Sequence, residues 1–280
     1  MSKLQGAFQK AKGKAAFIGF VTAGDPSLDQ SKDFVLELVR AGADIVELGI
    51  PFSDPIAEGP VIQAANIRSL KAGTTITKIF SLIEGLRRKT QIPLVLLTYL
   101  NPVFQYGYAR FFKDCQERGV DGIIIPDLPF EEQQEVRVMA DPCGVDLISL
   151  IAPTSAERIR DIAADARGFL YVVSSLGLTG MRGTIETDLA PLIGAVRQVS
   201  PIPTAVGFGI HTPDQAAAIG KVADGVIVGS ALVKLIEAHG KDAGPYMYEY
   251  VRRMKEALLE GHPANYTKEK KYIDKAGGLS

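Results

Sequence analysis

The sequence predicts an α/β chain whose parallel strands close into a (β/α)8 barrel. Three observations carry this. Short apolar runs rich in β-branched residues keep returning: "AAFIGFV", "DIVELGI", "IPLVLLTY", "DGIIIPD", "VDLISLI", "GFLYVVS", "IPTAVGF" and "DGVIVGS". Runs that are apolar throughout suit a parallel sheet covered on both faces. Helix-like segments of mixed charge separate them, and 280 residues fit the roughly 250 of one such barrel. An open doubly wound sheet is the alternative, but the strand count and the lack of a split favour closure.

In chain order, "SKLQGAFQKAKG" predicts an added N-terminal helix closing the barrel bottom. "DQSKDFVLELVRAG", "YARFFKDCQERG" and "TPDQAAAIGKVA" read as crossover helices, several ending near a Gly suited to a C-cap. The widest gap between strands, from Ile50 to Ile92, leaves an extended loop after strand 2 and an extra short helix, "PVIQAANIRSLKAG". No linker or low-complexity break appears. The expectation is a single TIM-barrel domain over 1–280, with a polar tail from about 262.

A net charge of -1 sets up no strong field toward nucleic acid or membrane. Trp is absent, and no basic tract carries interleaved aromatics. The longest apolar run, "IPLVLLTYL", is too short to span a bilayer. Cys115 and Cys143 stand in no metal or redox spacing, and no secretory apolar core follows the N-terminus. The expected location is cytoplasmic.

Barrel enzymes draw their working groups from strand C-terminal ends and the loops beyond. Glu47 lies inside an apolar run, where burial raises a carboxyl pKa toward neutrality and suits it to acid–base work. The alternative is a Glu turned outward into a salt bridge with a helix. Glu58 follows on the loop, and Asp54 either caps the turn at Pro55 or serves the site. Asp127, ending the fourth run, binds substrate, orients another loop or caps the helix at "FEEQQEV". Asn101 fixes its own loop.

"AVGFGIHTPDQ" and "DGVIVGSALVKLI" each read as strand, glycine, then helix. Backbone N–H groups at such helix starts hold anions, and barrels commonly seat phosphate beyond strands 7 and 8. Gly207, Gly209, Gly229 and Ser230 are the candidates, with Gly180 closing the cradle; Arg182 either reaches the phosphate or is an ordinary exposed loop arginine. His211 is expected to cap the helix at "TPDQ". Phe20, Tyr99, Ile125, Tyr171 and Phe208 line the expected mouth and would hold an apolar, planar group. The histidines form no metal pattern, no Lys ends a strand, and no nucleotide fingerprint is present. These residues predict acid–base chemistry on a small phosphorylated molecule.

"VELGIPFSDPIAEGPVIQ", "YLNPVFQYG", "DLPFEE", "SSLGLTG", "GFGIHTPDQ" and "GVIVGSALV" together resemble the tryptophan synthase alpha chain family, from about Phe17 to Ile236. The resemblance implies cleavage of indole-3-glycerol phosphate to indole and glyceraldehyde 3-phosphate. It implies a partner beta chain carrying pyridoxal phosphate in an α2β2 assembly, and no cofactor in this chain. Glu47 falls on the family's catalytic glutamate. Gly180, Gly209, Gly229 and Ser230 fall among its phosphate positions, and Phe20, Tyr99, Tyr171 and Phe208 around its indole pocket. Thr179 falls on a residue that helps close the site. Asp54 and the segment from Asn101 to Tyr108 fall where the beta chain is contacted. One departure stands out: the family's usual "ADGP", whose Asp binds the indole N–H, is "AEGP" here, with Glu58 one methylene longer. The competing expectations are a stand-alone indole-releasing lyase, a barrel phosphate isomerase and a non-catalytic partner-binding barrel.

Overall fold

The computed structural model describes residues 1–11, 14–152, 158–174 and 185–260. Its strand segments are β1 (Ala16–Thr22), β2 (Ile45–Gly49), β3 (Leu94–Leu97), β4 (Gly122–Ile124), β5 (Asp146–Ile148), β6 (Leu150–Ile151), β7 (Leu170–Val173), β8 (Thr204–Gly207) and β9 (Gly225–Val228). All pair in parallel, in the order β5-β4-β3-β2-β1-β9-β8-β7-β6. The two ends of that order are neighbours in the chain, with only Ser149 between them. The Ser149 carbonyl accepts the Tyr171 N–H at 3.0 Å. β5 and β6 are therefore halves of one bent strand that pairs with β4 and then with β7. The sheet closes as a barrel of eight, and "VDLISLI" is the strand that closes it.

Around it lie α1 (Lys3–Lys10), α2 (Leu28–Arg40), α3 (Pro60–Lys71), α4 (Ile76–Arg87), α5 (Leu100–Tyr106), α6 (Tyr108–Arg118), α7 (Gln133–Ala140), α8 (Ile159–Asp165), α9 (Ile185–Val199), α10 (Pro213–Gly220), α11 (Ser230–His239) and α12 (Gly244–Glu260). The stretch after β2 holds the extra helix α3 before the crossover helix α4. "YLNPVFQYG", expected as a loop, instead contains the whole of α5, on which Asn101 is exposed.

Strand alternation sorts the apolar side chains into two layers. Ile18, Ile45, Val95, Ile124, Ile148, Tyr171, Ala205 and Ile227 fill the barrel. Val21, Val46, Leu48, Leu96, Ile123, Val172 and Val226 face the helices. Helix α1 plugs the N-terminal end as expected. Its Leu4 and Phe8 join the interior cluster, and Phe8 packs 5.5 Å from the Phe169 ring.

At the same end three aspartates each pin one strand start. Asp44, Asp121 and Asp224 each immediately precede a strand or its first paired residue. Their N–H groups donate to Phe17, Leu94 and Thr204, each at 2.9 Å. Their carboxylates accept the N–H groups of the same three residues, at 2.7, 2.8 and 2.8 Å. The reciprocal pair ties neighbouring strands where the ladder begins, at a donor that otherwise has no ladder partner. A cation backs each carboxylate: Lys255, Arg87 and Arg197. Asp121→Ala strips the Leu94 N–H and leaves the mostly buried Arg87 without its anion. Removing one partner of such a pair costs roughly 2–4 kcal/mol. The expected result is a fall of at least about 4 °C in the melting temperature. Arg252→Ala, which removes exposed pairs to Glu249 and Glu256, leaves it unchanged. Equal shifts in calorimetry would refute the clamp.

Candidate active site

Val46 and Leu48 belong to the outer layer and Ile45 to the interior, so alternation turns Glu47 into the barrel. The outward salt bridge is thereby replaced by burial: Glu47 is 1% exposed. It stands in register with Phe20 on β1 and Val95 on β3. Its Oε2 is buried with no hydrogen-bond partner among the described residues. Desolvation first, and the nearby charge of Glu58 second, push its pKa up to about 8. A carboxyl in this state holds a proton at neutral pH and can also give it up.

Glu58 is half-buried on the loop above. Asn66 of α3 donates to its Oε2 at 2.6 Å. Burial raises the Glu58 pKa, while hydrogen bonds from Asn66 and the Tyr99 hydroxyl oppose the rise. Tyr99, 1% exposed, accepts the Ala57 N–H at 3.2 Å and packs against Phe52 with ring centres 5.2 Å apart. Its own pKa is pushed up to about 12, mainly by burial, with the charges of Glu58 and Asp127 adding. Tyr99 thus stays a neutral hydroxyl beside the loop carboxylate.

The apolar walls come from opposite sides. Phe20 packs with Ala65 and Val233, and with the partly buried Val61, Ile62 and Leu97. Tyr171 lies inside the barrel, and the charge of Glu47 contributes to its raised pKa after burial. Phe208 meets Tyr171 edge-on at 6.2 Å. Two glycines make room for these rings: a Cβ at Gly49 would sit 2.6 Å from Phe20, and one at Gly207 would sit 2.3 Å from the Tyr171 hydroxyl. Phe208 is held at φ 73, left-handed and strained for a side-chain-bearing residue. Ser174 Oγ donates to the Phe208 carbonyl at 2.7 Å and braces that turn.

The two glycine runs differ. Gly229 leads directly into α11, and among the described residues no side chain caps that helix start. Gly209 does not lead a helix. Helix α10 begins at Pro213, and Thr212 with Gln215 forms a reciprocal capping box there. The cap expected of His211 therefore belongs to Thr212. His211 Nδ1 instead lies 2.9 Å from the Gly209 carbonyl. Ser230 is exposed at the head of α11.

Several candidates lie elsewhere. Ile125, 2% exposed, belongs to the layer between sheet and helices, one residue out of phase with the interior Ile124. Asp127 accepts the Leu100 N–H at 2.9 Å and so holds the start of α5, not of the "FEEQQEV" helix. Asp54 is exposed and accepts from Ser53. Thr179, Gly180 and Arg182 lie outside the described residues. Asn66, 2% exposed, was not anticipated. The signal for it is an amide on the stripe that α3 buries, beside Ala65 and Ser69. A shallow groove of about 300 Å³ near Phe8, Lys14, Arg197 and Asp224 sits at the opposite end and shares no residue with this set.

A closed parallel barrel with a proton-holding carboxyl at its C-terminal mouth defines an acid–base barrel enzyme. A family model described as tryptophan synthase alpha chain matches residues 7–258. A tryptophan synthase alpha chain from Lactiplantibacillus plantarum is 53% identical over 248 residues, 88% of this chain and 94% of that one. One from Lacticaseibacillus casei is 46% identical over 92% of this chain and 96% of its own length. A crystal structure of the tryptophan synthase alpha chain from Legionella pneumophila superposes with TM-score 0.83 at 37% identity, covering 92% of this chain and 97% of that one. The chain belongs to the tryptophan synthase alpha chain family. Among the described residues no cluster of His, Cys, Asp or Glu could hold a metal ion, and no helix is long and apolar enough to cross a membrane.

The buried carboxyl links stability to pH. Below about 4.5 Glu47 is protonated in both folded and unfolded chains and carries no penalty. Between about 4.5 and about 8 the unfolded chain releases a proton that the folded chain keeps, so stability falls as pH rises. The full loss is on the order of 5 kcal/mol. Glu47→Gln cannot ionise and removes it. Its melting temperature should exceed that of the native protein at pH 8.5 by several degrees more than at pH 5. A difference independent of pH in scanning calorimetry would contradict the burial.

Proposed function

We propose that this chain works as an alpha subunit cleaving indole-3-glycerol phosphate to indole and glyceraldehyde 3-phosphate. It is a carbon–carbon lyase of the retro-aldol type, in a single barrel domain over 1–280. The observation carrying the reading is Glu47, a carboxyl inside the barrel that keeps its proton near neutrality beside a second carboxylate. Protonated Glu47 gives its proton to indole C3, and positive charge develops across the ring to the N–H. Glu58 stabilises that charge through the N–H, or takes its proton and returns it. The ionised Glu47 then removes the glycerol hydroxyl proton. The bond from C3 to the chain breaks, its electrons return to the ring, and the chain leaves as the aldehyde. Glu47 ends protonated, as it began.

Phe20, Tyr171 and Phe208 would hold the ring, with Tyr99 beside Glu58. The phosphate would meet the uncapped start of α11 at Gly229 and Ser230, with Gly209 alongside and Gly180 closing the cradle. Thr179 would help close the site. A small rigid pose of this kind supplies orientation that a floppy substrate lacks.

The partner would be a beta chain carrying pyridoxal phosphate, in an α2β2 assembly that receives the indole. Exposed apolar residues support a docking surface near the mouth: Ile56 is 77% and Phe104 62% exposed, on the segments that carry Asp54 and Asn101. A structure described as a tryptophan synthase complex from Pyrococcus furiosus superposes with TM-score 0.79 at 34% identity, covering 86% of this chain.

Indole release from indole-3-glycerol phosphate, with and without a beta chain, tests the reading. Glu47→Gln should lower kcat by at least ~10², and near-native turnover would sink the assignment. Glu58→Ala should lose most activity while Glu58→Asp keeps part of it. For the anion site, Gly209→Val forces a β-branched residue into φ 76. KM should rise with kcat less affected, and an unchanged KM would move the phosphate elsewhere.

A further inference from the structure

Helix α3 is the mount on which Glu58 rests. Its Gln63 donates to the Glu58 carbonyl at 2.7 Å and its Asn66 to the Glu58 carboxylate at 2.6 Å. The same helix is bolted to the turn after β1. Arg68 Nε and Nη2 reach the two carboxylate oxygens of Asp25, each at 2.8 Å. Ser69 Oγ donates to the Ala23 carbonyl at 2.6 Å. Asp25 is fully buried, and its turn packs so closely that a Cβ on Gly24 would strike Thr74 Oγ1 at 2.0 Å. A two-pronged guanidinium–carboxylate bond fixes direction as well as distance. Asn66 and Arg68 are two residues apart, so their side chains diverge from one short length of helix. Any roll or slide of α3 that loosens Arg68 also moves the Asn66 amide.

From this chain of contacts we infer that the Asp25–Arg68 pair is a positioning device for Glu58. Arg68 touches no reacting atom. It sets the height and roll of α3, through which Asn66 sets the carboxylate of Glu58. The longer Glu side chain makes this control matter more, because an extra methylene adds a rotatable bond between backbone and carboxylate. A misplacement of about 1 Å in a posed reaction is worth up to about a hundredfold in rate. The inference rests on the role given to Glu58 above.

The test is a double-mutant cycle on indole release from indole-3-glycerol phosphate, with the beta chain present. Arg68→Ala should lower kcat roughly 30- to 100-fold with KM changed less than about threefold, and Arg68→Lys should restore part of it. In a Glu58→Ala background the same Arg68→Ala change should cost less than about threefold, since the two act as one unit. If Arg68→Ala melts early because Asp25 is left unpaired, the Asp25→Asn/Arg68→Gln double variant removes both charges, and the same comparison applies to it. Equal losses in the native and Glu58→Ala backgrounds would overturn the inference. So would a folded Arg68 variant with native kcat, where Glu58→Ala itself is impaired. If Glu58→Ala runs at the native rate, the role of Glu58 fails first and the inference fails with it.

Discussion

Closure of the sheet depends on a single bend at Ser149. Before it, the strand pairs with β4; after it, with β7. A strand cannot serve both neighbours without turning, and the turn leaves polar groups to satisfy behind it. Ser149 Oγ donates to Gln133 Oε1 at 3.1 Å, and Arg137 Nη2 donates to the same oxygen at 3.1 Å. Arg137 also reaches Asp165 on α8. These contacts hold an arginine that is only 3% exposed on α7. Closure also decides which side chains are interior, because only a closed barrel gives alternate residues of every strand one enclosed space.

That enclosed space is where a carboxyl becomes chemically useful. An open sheet would set Glu47 against a covering helix; the closed barrel sets it instead in a space that opens at the C-terminal mouth. Inside the barrel its neighbours in register are Phe20 and Val95. Desolvation then dominates the rise in its pKa, ahead of the charge of Glu58. The glycines at positions 49 and 207 belong to the same geometry. They give up side-chain volume so that Phe20 and Tyr171 can lie across the mouth. Stability is spent at one end of the barrel and recovered at the other, where the α1 plug and the aspartate clamps hold strand starts that take no part in the site.

The fold was legible in the sequence because continuous apolar runs and glycine-ended helices are local signals. The clamps recur openly as "GADI", "GVDG" and "VADG". The direction of side chains was much less legible. In "DIVELGI" the residues on both sides of Glu47 are equally apolar, so period-two alternation has no contrast to read. The same blindness placed Ile125 at the mouth, when "GIIIPD" offers three identical residues and only the pairing of β4 picks Ile124 as interior. Asn66 was hidden because an amide on a helix reads as surface until its neighbour is known. The Thr212 cap was readable, since Thr followed three residues later by Gln is a capping box.

In the proposed cleavage, Glu47 and Glu58 divide two needs that conflict in one residue. A proton donor near neutrality needs burial, and burial demands a rigid mount. Glu47 has both on β2. A group that answers charge appearing on the ring must stay ionisable, so it needs polar contacts and partial exposure. Glu58 has these from Asn66 and Tyr99 on a loop. Its extra methylene, relative to the Asp that the resemblance leads one to expect, need not push it further into the mouth. The Asn66 amide at 2.6 Å draws the carboxylate toward α3, along the helix flank. The longer side chain can thus fold back against its mount and spend its added reach sideways. On this geometry the substitution is accommodated by the helix that holds the carboxylate, leaving the strand-borne half of the site untouched.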